Sequence, residues 1–232
     1  MLLSTPGLIL HTTPYAESSV VVKVFTRQLG TRSYIVKGVR GRGGRVKQNL
    51  LQPLSSVDMV VYDNPKNDLN YIKEIAPRHP LRTQGAVDNA LRFFMTEVLY
   101  KVLREEEPMP ALFDYADACS SEVEAATDHP LLFMLTVAGH LGIEPLDNHG
   151  SSTPLFDLQE GRFVALPTET TLPPALSTML HTYLLALHAQ ALPAFRPADR
   201  RMLLDALLAY FQLHLPGFRD FHSHEILHTI LR

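Results

Sequence analysis

Five short segments rich in β-branched residues follow one another through the first 78 residues of this 232-residue chain. No window of helical periodicity separates them, and Gly, Pro and Asn fill the connections, so each segment is predicted to be a strand. An open sheet of short strands has two edge strands with unpaired backbone N–H and C=O groups. Closing the sheet into a barrel pairs these two edges with each other. The sequence therefore predicts a small closed barrel of the OB or SH3-like kind, from the segments Gly7–Thr13, Ser19–Thr26, Arg32–Val39, Val57–Tyr62 and Leu69–Ile75.

The second part of the chain has a different periodicity. From about residue 80 the apolar residues recur every three or four positions, which is typical of amphipathic helices. A stretch of Asn, Gly, Ser and Pro at about 145–173 interrupts them, and Leu155–Leu166 within it resembles a small hairpin. We therefore predict an α+β multidomain protein, with an OB-type barrel at 1–79 and an all-α helical bundle at 80–232 that carries one irregular insertion. The predicted helices are Val87–Leu103, Pro110–Ala126, His129–Leu141, Pro174–Ala191, Pro197–Leu213 and Ser223–Leu231.

Charge is distributed unevenly between the two parts. The overall formal charge is −3, but residues 1–57 carry eight bases against one acid, a net of +7. Residues 58–232 carry thirteen bases against twenty-three acids, a net of −10. This asymmetry predicts a basic binding module joined to an acidic body.

The basic residues of the first part lie between Ser18 and Val57, a span without Asp or Glu. The glycines of its loop, Gly41, Gly43 and Gly44, allow backbone N–H groups to approach phosphates, and the arginines add charge and forked donors. The other interpretation is a solvated hairpin tip, and the sequence favours a polyanion over it. We predict that one exposed, unneutralised surface binds nucleic acid through Lys23, Arg27, Arg32, Lys37, Arg40, Arg42, Arg45 and Lys47.

Aromatic residues that could stack on bases are sparse near this surface. The chain has no Trp, and the nearby candidates are Tyr15, Phe25 and Tyr34, of which we expect at least one to be buried in the core. The predicted binding is therefore led by phosphate contacts and tolerant of sequence. The residues do not distinguish DNA from RNA, so an RNA-binding OB module remains an alternative.

Composition narrows the remaining functional classes. Cys119 is the only cysteine, which excludes an intramolecular disulfide and a Cys₄ or Cys₂His₂ zinc site. The amino terminus lacks the pattern of a signal peptide, and no apolar run is long enough to span a membrane, so we expect a cytoplasmic protein without a membrane partner. No GxSxG or GxxxxGK[ST] pattern is present, and no cofactor is predicted.

A metal-dependent hydrolase is the alternative from another class. His224, Glu225 and His228 have the HExxH spacing of zinc hydrolases, which need a third ligand and an open cleft. The motif lies five residues from the carboxy terminus on a short predicted helix, which is a poor floor for a cleft. The pair Arg200 and Arg201 either faces solvent or borders a groove for an acidic peptide.

Several short motifs occur in a fixed order along nearly the whole chain. In the first part they are Tyr15-x-Glu17-Ser18, Gly30, and the loop that begins Lys37-Gly38-x-Arg40, followed by Gln52-Pro53-Leu54. In the second part they are Leu141-Gly142-Ile143-x-Pro145-Leu146, Phe156-Asp157-x-x-x-Gly161 and Phe221-x-Ser223-x-x-x-Leu227. Taken together, these motifs resemble the bacterial recombination mediator RecO family.

The resemblance implies an OB barrel and a non-enzymatic role in DNA repair and homologous recombination, near the nucleoid. Members bind single- and double-stranded DNA, anneal complementary strands, and act with RecR and often RecF. They help to load RecA onto DNA coated with single-strand binding protein, whose acidic tail they recognise. Many members hold zinc with four cysteines in the insertion. This chain has none there, so we expect packing of Leu155, Phe156, Leu158 and Phe163 to hold the insertion without metal.

Overall fold

The computed structural model of the chain describes residues 1–39, 48–64, 67, 69–79, 85–121, 129–189 and 195–230. Its first five strands are β1 (Leu2–Tyr15), β2 (Ser19–Thr26), β3 (Gly30–Val36), β4 (Ser56–Tyr62) and β5 (Leu69–Pro77). They close into a barrel in the order β1-β2-β3-β5-β4, with β4 pairing back onto β1. β3 and β5 run parallel and the other pairs are antiparallel. The predicted five-stranded OB barrel is therefore confirmed.

β1 is longer than the predicted Gly7–Thr13, because it continues through a proline at each end. Pro6 lies where β1 pairs with β4 alone, and Pro14 lies where it pairs with β2 alone. Each proline therefore occupies a stretch with a strand on one side only, where the missing N–H is tolerated. The predicted end of this strand at Thr13, directly before Pro14, was wrong for that reason.

The barrel interior is filled by the side chains at alternate positions of each strand, which point inward. On β2 the inward residues are Val20, Val22 and Val24, and on β4 they are Val57, Met59 and Val61. A short 3₁₀ helix, Gln48–Leu51, adds Leu51 to the same cluster. Burying side chains of this size stabilises the fold by about 1.5–3 kcal/mol each relative to exposure.

Within the described residues six α-helices follow, each close to a predicted one. Three predicted helix ends (residues 126, 191 and 231) and the predicted start of the helical domain (residue 80) lie outside the described residues. None of the described helices is both long enough and apolar enough to cross a membrane. The helices are α1 (Ala86–Val102), α2 (Pro110–Ser121), α3 (His129–His140), α4 (Pro174–Ala189), α5 (Pro197–His214) and α6 (Ser223–Ile230).

The chain divides into two compact units, Met1–Glu124 and Ala125–Arg232. Helices α1 and α2 thus belong to the same unit as the barrel, where Phe113 of α2 packs edge-on against Phe25 of β2 at 5.5 Å between ring centroids. The last barrel strand ends at Pro77, and a domain division at residue 79 stays a prediction.

The insertion of the second unit contains the expected hairpin, formed by β6 (Leu155–Asp157) and β7 (Arg162–Val164). Phe156 and Phe163 are buried, with ring centroids 5.1 Å apart, whereas Leu155 and Leu158 are half-buried. The Asn148 side chain extends the hairpin, since its Nδ2 donates to the Phe163 carbonyl at 2.9 Å and its Oδ1 accepts from the Phe163 N–H at 2.8 Å.

Asp157 organises the turn and the segment that follows. It is only 1% exposed, and its carboxylate accepts hydrogen bonds from the backbone of Gln159 and Glu160, both at 2.9 Å, and from the hydroxyls of Thr168 and Thr170. Burial acts to raise the pKa of Asp157, but these hydrogen bonds outweigh it and hold that pKa below its usual value.

Replacing Asp157 by Asn tests this arrangement. We expect the variant to lose about 2 kcal/mol of unfolding free energy at neutral pH, because it removes hydrogen bonds to a buried charge. The folded-state pKa is depressed, so the stabilisation is present above the unfolded value of about 3.9 and is lost as the pH falls through the folded value. The difference in unfolding free energy between the variant and the wild type, measured by urea unfolding, should therefore be smaller at about pH 3 than at neutral pH.

The control is Glu169→Gln, which neutralises an exposed carboxylate of the same insertion. It should change the unfolding free energy by less than about 0.5 kcal/mol. An Asp157→Asn variant as stable as this control at neutral pH would contradict the account.

Candidate nucleic-acid interface

The structure describes four of the eight predicted contact residues. Arg40, Arg42, Arg45 and Lys47 lie outside the described residues. The other four are on or just after the strands β2 and β3 and can be placed individually: Lys23, Arg27, Arg32 and Lys37.

Lys23 and Arg27 are both ion-paired. The Lys23 ammonium lies 3.0 Å from the Glu105 carboxylate and 4.9 Å from the centroid of the Tyr100 ring. The Arg27 guanidinium binds both carboxylate oxygens of Asp114, at 2.7 and 2.9 Å. Hydrogen bonds from Arg27 hold the pKa of Asp114 below its usual value.

Arg32 is also paired, and it is mostly buried. Its Nη1 lies 3.4 Å from Asp63 and 3.5 Å from Glu106, and its side chain is 12% exposed. The expectation of one unneutralised surface is therefore wrong for Lys23, Arg27 and Arg32, because carboxylates from later in the chain fold back onto them.

The segment that supplies two of these carboxylates, Glu105–Glu107 between α1 and α2, runs alongside the start of β3. The Glu106 N–H donates to the Thr31 carbonyl at 3.1 Å, and Thr31 forms a bridge with Glu105. Gly30 has φ +66°, and a Cβ there would lie 2.5 Å from the Glu107 backbone nitrogen. Glycine thus lets the acidic segment approach β3 closely.

Lys37 differs from the other three cations. Its ammonium lies 4.6 Å from the centroid of the Tyr71 ring, and no carboxylate in the described part of the chain pairs with it. It follows β3 directly and precedes Gly38, whose φ of +70° turns the backbone at the start of the basic loop. Of the four described cations it is the one without an acidic partner there.

A groove of about 1180 Å³ lies beside Lys37 on the barrel. Two tyrosines line it, Tyr62 at the end of β4 and Tyr71 near the start of β5, and they are 47% and 42% exposed. They are direct partners in the β4–β5 register, so their side chains share one face.

These two tyrosines were not among the predicted stacking residues. Of the three that were, Phe25 and Tyr34 are fully buried and Tyr15 is 49% exposed. Burial also raises the pKa of Tyr34 to about 12. The alternation of Leu69–Ile75, which puts Tyr71 and Lys73 on the face opposite Ile72, was the available signal.

The carboxy-terminal histidines do not form a metal centre. His228 Nε2 lies 3.5 Å from Asp205 on α5, the His224 ring is 5.6 Å from that of His228, and Glu225 is exposed. Burial lowers the pKa of His228, although Asp205 acts to raise it. Among the described residues no group of three or more His, Cys, Asp or Glu side chains could hold a metal ion.

Next to His228 is a small pocket in the second unit. Its apolar lining comes from Leu131, Leu204 and Leu227, and Arg200 and Arg201 line it as well. The Arg200 Nη1 donates to the Phe195 carbonyl at 2.7 Å, which fixes that guanidinium at the start of α5. Arg200 and Arg201 thus border this pocket, and its use by an acidic peptide stays a prediction.

The fold places this chain in the class of OB-barrel proteins, because its first unit is built on a closed five-stranded OB barrel and a helical unit follows. No metal cluster is present among its described residues. The family model described as "Recombination protein O N terminal" matches residues 1–81. A "DNA repair protein RecO" of Porphyromonas gingivalis is 31% identical over 245 residues, covering 99% of both chains. Proteins with that name from Phocaeicola vulgatus and Flavobacterium johnsoniae are 29% and 27% identical and cover 98% and 99% of both chains. The chain belongs to the RecO family, whose role is in DNA repair and recombination.

The contact between Gly30 and the acidic segment yields a prediction. Gly30→Ala should lower the unfolding free energy by at least about 2 kcal/mol, because the new methyl group meets backbone atoms and the residue has a positive φ. Gly142→Ala is the matched control, since its φ is +71° but nothing lies within 4 Å of the added Cβ. The control should cost about 1–2 kcal/mol, measured by urea unfolding.

Equal losses in the two variants would mean that the backbone conformation alone accounts for the cost. The close approach of Glu107 to Gly30 would then make no contribution to the loss of unfolding free energy.

Proposed function

We propose that this RecO-family chain is a non-enzymatic recombination mediator that binds DNA through its backbone phosphates. The observation that carries the proposal is Lys37, a cation at a groove of the OB barrel without a carboxylate partner among the described residues. In the sequence the basic stretch with Arg40, Arg42, Arg45 and Lys47 follows it directly. Cations that are not neutralised within the protein are available to phosphates.

The ion pairs of the other described cations determine how readily each cation can contribute to phosphate binding. Lys23 and Arg27 must each release a carboxylate before they can meet a phosphate, and Arg32 must also become exposed. Ion pairs in contact with solvent contribute little free energy because water and salt screen them, so a polyanion can compete for Lys23 and Arg27. Lys37 and the basic loop are therefore the leading contacts, and Lys23, Arg27 and Arg32 are secondary ones.

Membership of the family supports the finer parts of the proposal. The chain binds single- and double-stranded DNA, anneals complementary strands, and with RecR and RecF helps to load RecA onto DNA coated with single-strand binding protein. Annealing of complementary strands coated with that protein is the functional test, and a Lys37→Glu, Arg40→Glu variant should anneal them more slowly.

Charge reversal at Lys37 tests the phosphate contact. We expect Lys37→Glu to weaken binding of single-stranded oligonucleotides about tenfold, to a similar extent for all sequences, because phosphates are common to all of them. If about four phosphates are contacted, the slope of log K against log salt is near −3, and the variant makes it shallower by roughly one. Fluorescence anisotropy titrations at several salt concentrations measure both quantities.

Arg162→Glu is the control for this experiment, because Arg162 is an exposed arginine of the insertion hairpin that pairs with Glu160. It should leave the affinity and the slope unchanged. Unaltered binding by Lys37→Glu, or a loss confined to particular base sequences, would count against phosphate-led binding through this residue.

The pocket of the second unit supports a proposal for the acidic tail of single-strand binding protein. The pocket holds only about 30 Å³, so the peptide would lie across its mouth, with its terminal carboxylate beside Arg200 and Arg201 and an apolar side chain against the rim. Arg201→Glu should weaken binding of such a peptide at least tenfold, with Arg162→Glu again as the unaffected control. A peptide affinity that does not change in Arg201→Glu would exclude this pocket.

A further inference from the structure

We propose that the barrel groove is a base-stacking track, in which Tyr62 and Tyr71 receive the bases of single-stranded DNA. The inference deepens the proposed function and rests on it, because it names what the groove beside Lys37 binds. It adds base contacts to a mode of binding that phosphates alone would otherwise explain.

The first support is the position of the two tyrosines. They are direct partners in the β4–β5 register, both are more than 40% exposed, and both line the groove. An exposed pair of aromatic rings on adjacent strands offers neighbouring π faces at little conformational cost. Stacking on such rings is tolerant of sequence, because every base has a π face.

The second support is that the usual binding face of an OB barrel is covered here. That face is formed by strands 2 and 3. In this chain Phe25 on β2 packs under Phe113, and Lys23 on β2 lies against Tyr100 and Glu105. The exposed aromatic face lies instead on β4 and β5.

The third support is the charge of the groove. Among the described lining residues the two carboxylates are both ion-paired, Glu74 with Lys73 at 3.2 Å and Asp58 with Arg78 at 3.0 Å. Lys37 is left as an uncompensated cation within the described lining, and its ammonium lies over the Tyr71 ring, 4.6 Å from the ring centroid. A base that stacks on this face of Tyr71 would displace the ammonium, which then becomes available to the phosphate of the same nucleotide.

The size of the groove also fits a polymer. At about 1180 Å³ the groove has room for a segment of single strand with several nucleotides.

The test compares two probes of equal length and charge: an oligodeoxythymidylate of about 16 nucleotides and an abasic oligonucleotide that keeps the phosphates and sugars. Tyr62→Ala and Tyr71→Ala should each lower affinity for the thymidylate about tenfold and leave affinity for the abasic probe unchanged. Tyr62→Phe and Tyr71→Phe keep the ring and should bind both probes like wild type.

Phe93→Ala is the matched control. Phe93 is as exposed as Tyr62 but lies on α1 and does not line the groove. It should bind both probes like wild type. Because the chain has eight tyrosines and no Trp, quenching of tyrosine emission by the thymidylate gives a second readout, which should be weaker in Tyr71→Ala.

The outcomes separate this inference from the proposed function. Tyr→Ala variants that bind both probes like wild type, or that lose affinity equally for both, would overturn base stacking in the groove. A Lys37→Glu variant that keeps wild-type affinity for the abasic probe would instead overturn the phosphate contact, whatever the tyrosine variants show.

Discussion

The double pairing of β1 is the constraint on which the first unit depends. Residues 2–8 of this strand pair with β4 and residues 7–15 pair with β2, so one strand belongs to both ends of the sheet and closes it. Closure removes the free edges, and it places β5 between β3 and β4, where three pairs of described residues link β3 to β5. The groove, its tyrosines and Lys37 owe their proximity to this closure, because they come from separate strands.

The fold was largely predictable because its signals are local. Runs of Val in β2 and β4 and the spacing of apolar residues in α1 identify their elements without any partner. The predicted bounds of β1 were too short. Whether a strand can continue through a proline depends on which side of the strand is paired, and that follows only from the assembled sheet. The hydrogen bonds of Asp157 were not foreseen either, since an Asp in a loop is usually solvated and its four donors come from two separate stretches of chain.

The candidate site was less predictable, and the reason is distance along the chain. Lys23 meets a carboxylate 82 residues later and Arg27 meets one 87 residues later. A count of charges in a window treats such cations as available, and only the folded chain shows that they are paired. The alternation of β5 does indicate that Tyr71 faces outward, but the register that places Tyr62 beside it requires the paired strands.

The ion pairs between strand cations and later carboxylates give salt a double effect on the proposed binding. Added ions screen the attraction between phosphates and cations, and they also weaken the exposed pairs that hold Lys23 to Glu105 and Arg27 to Asp114. The first effect reduces binding of a polyanion, while the second makes two more cations available to it. The two partly offset each other, so a salt titration of the proposed binding would undercount the phosphates in contact.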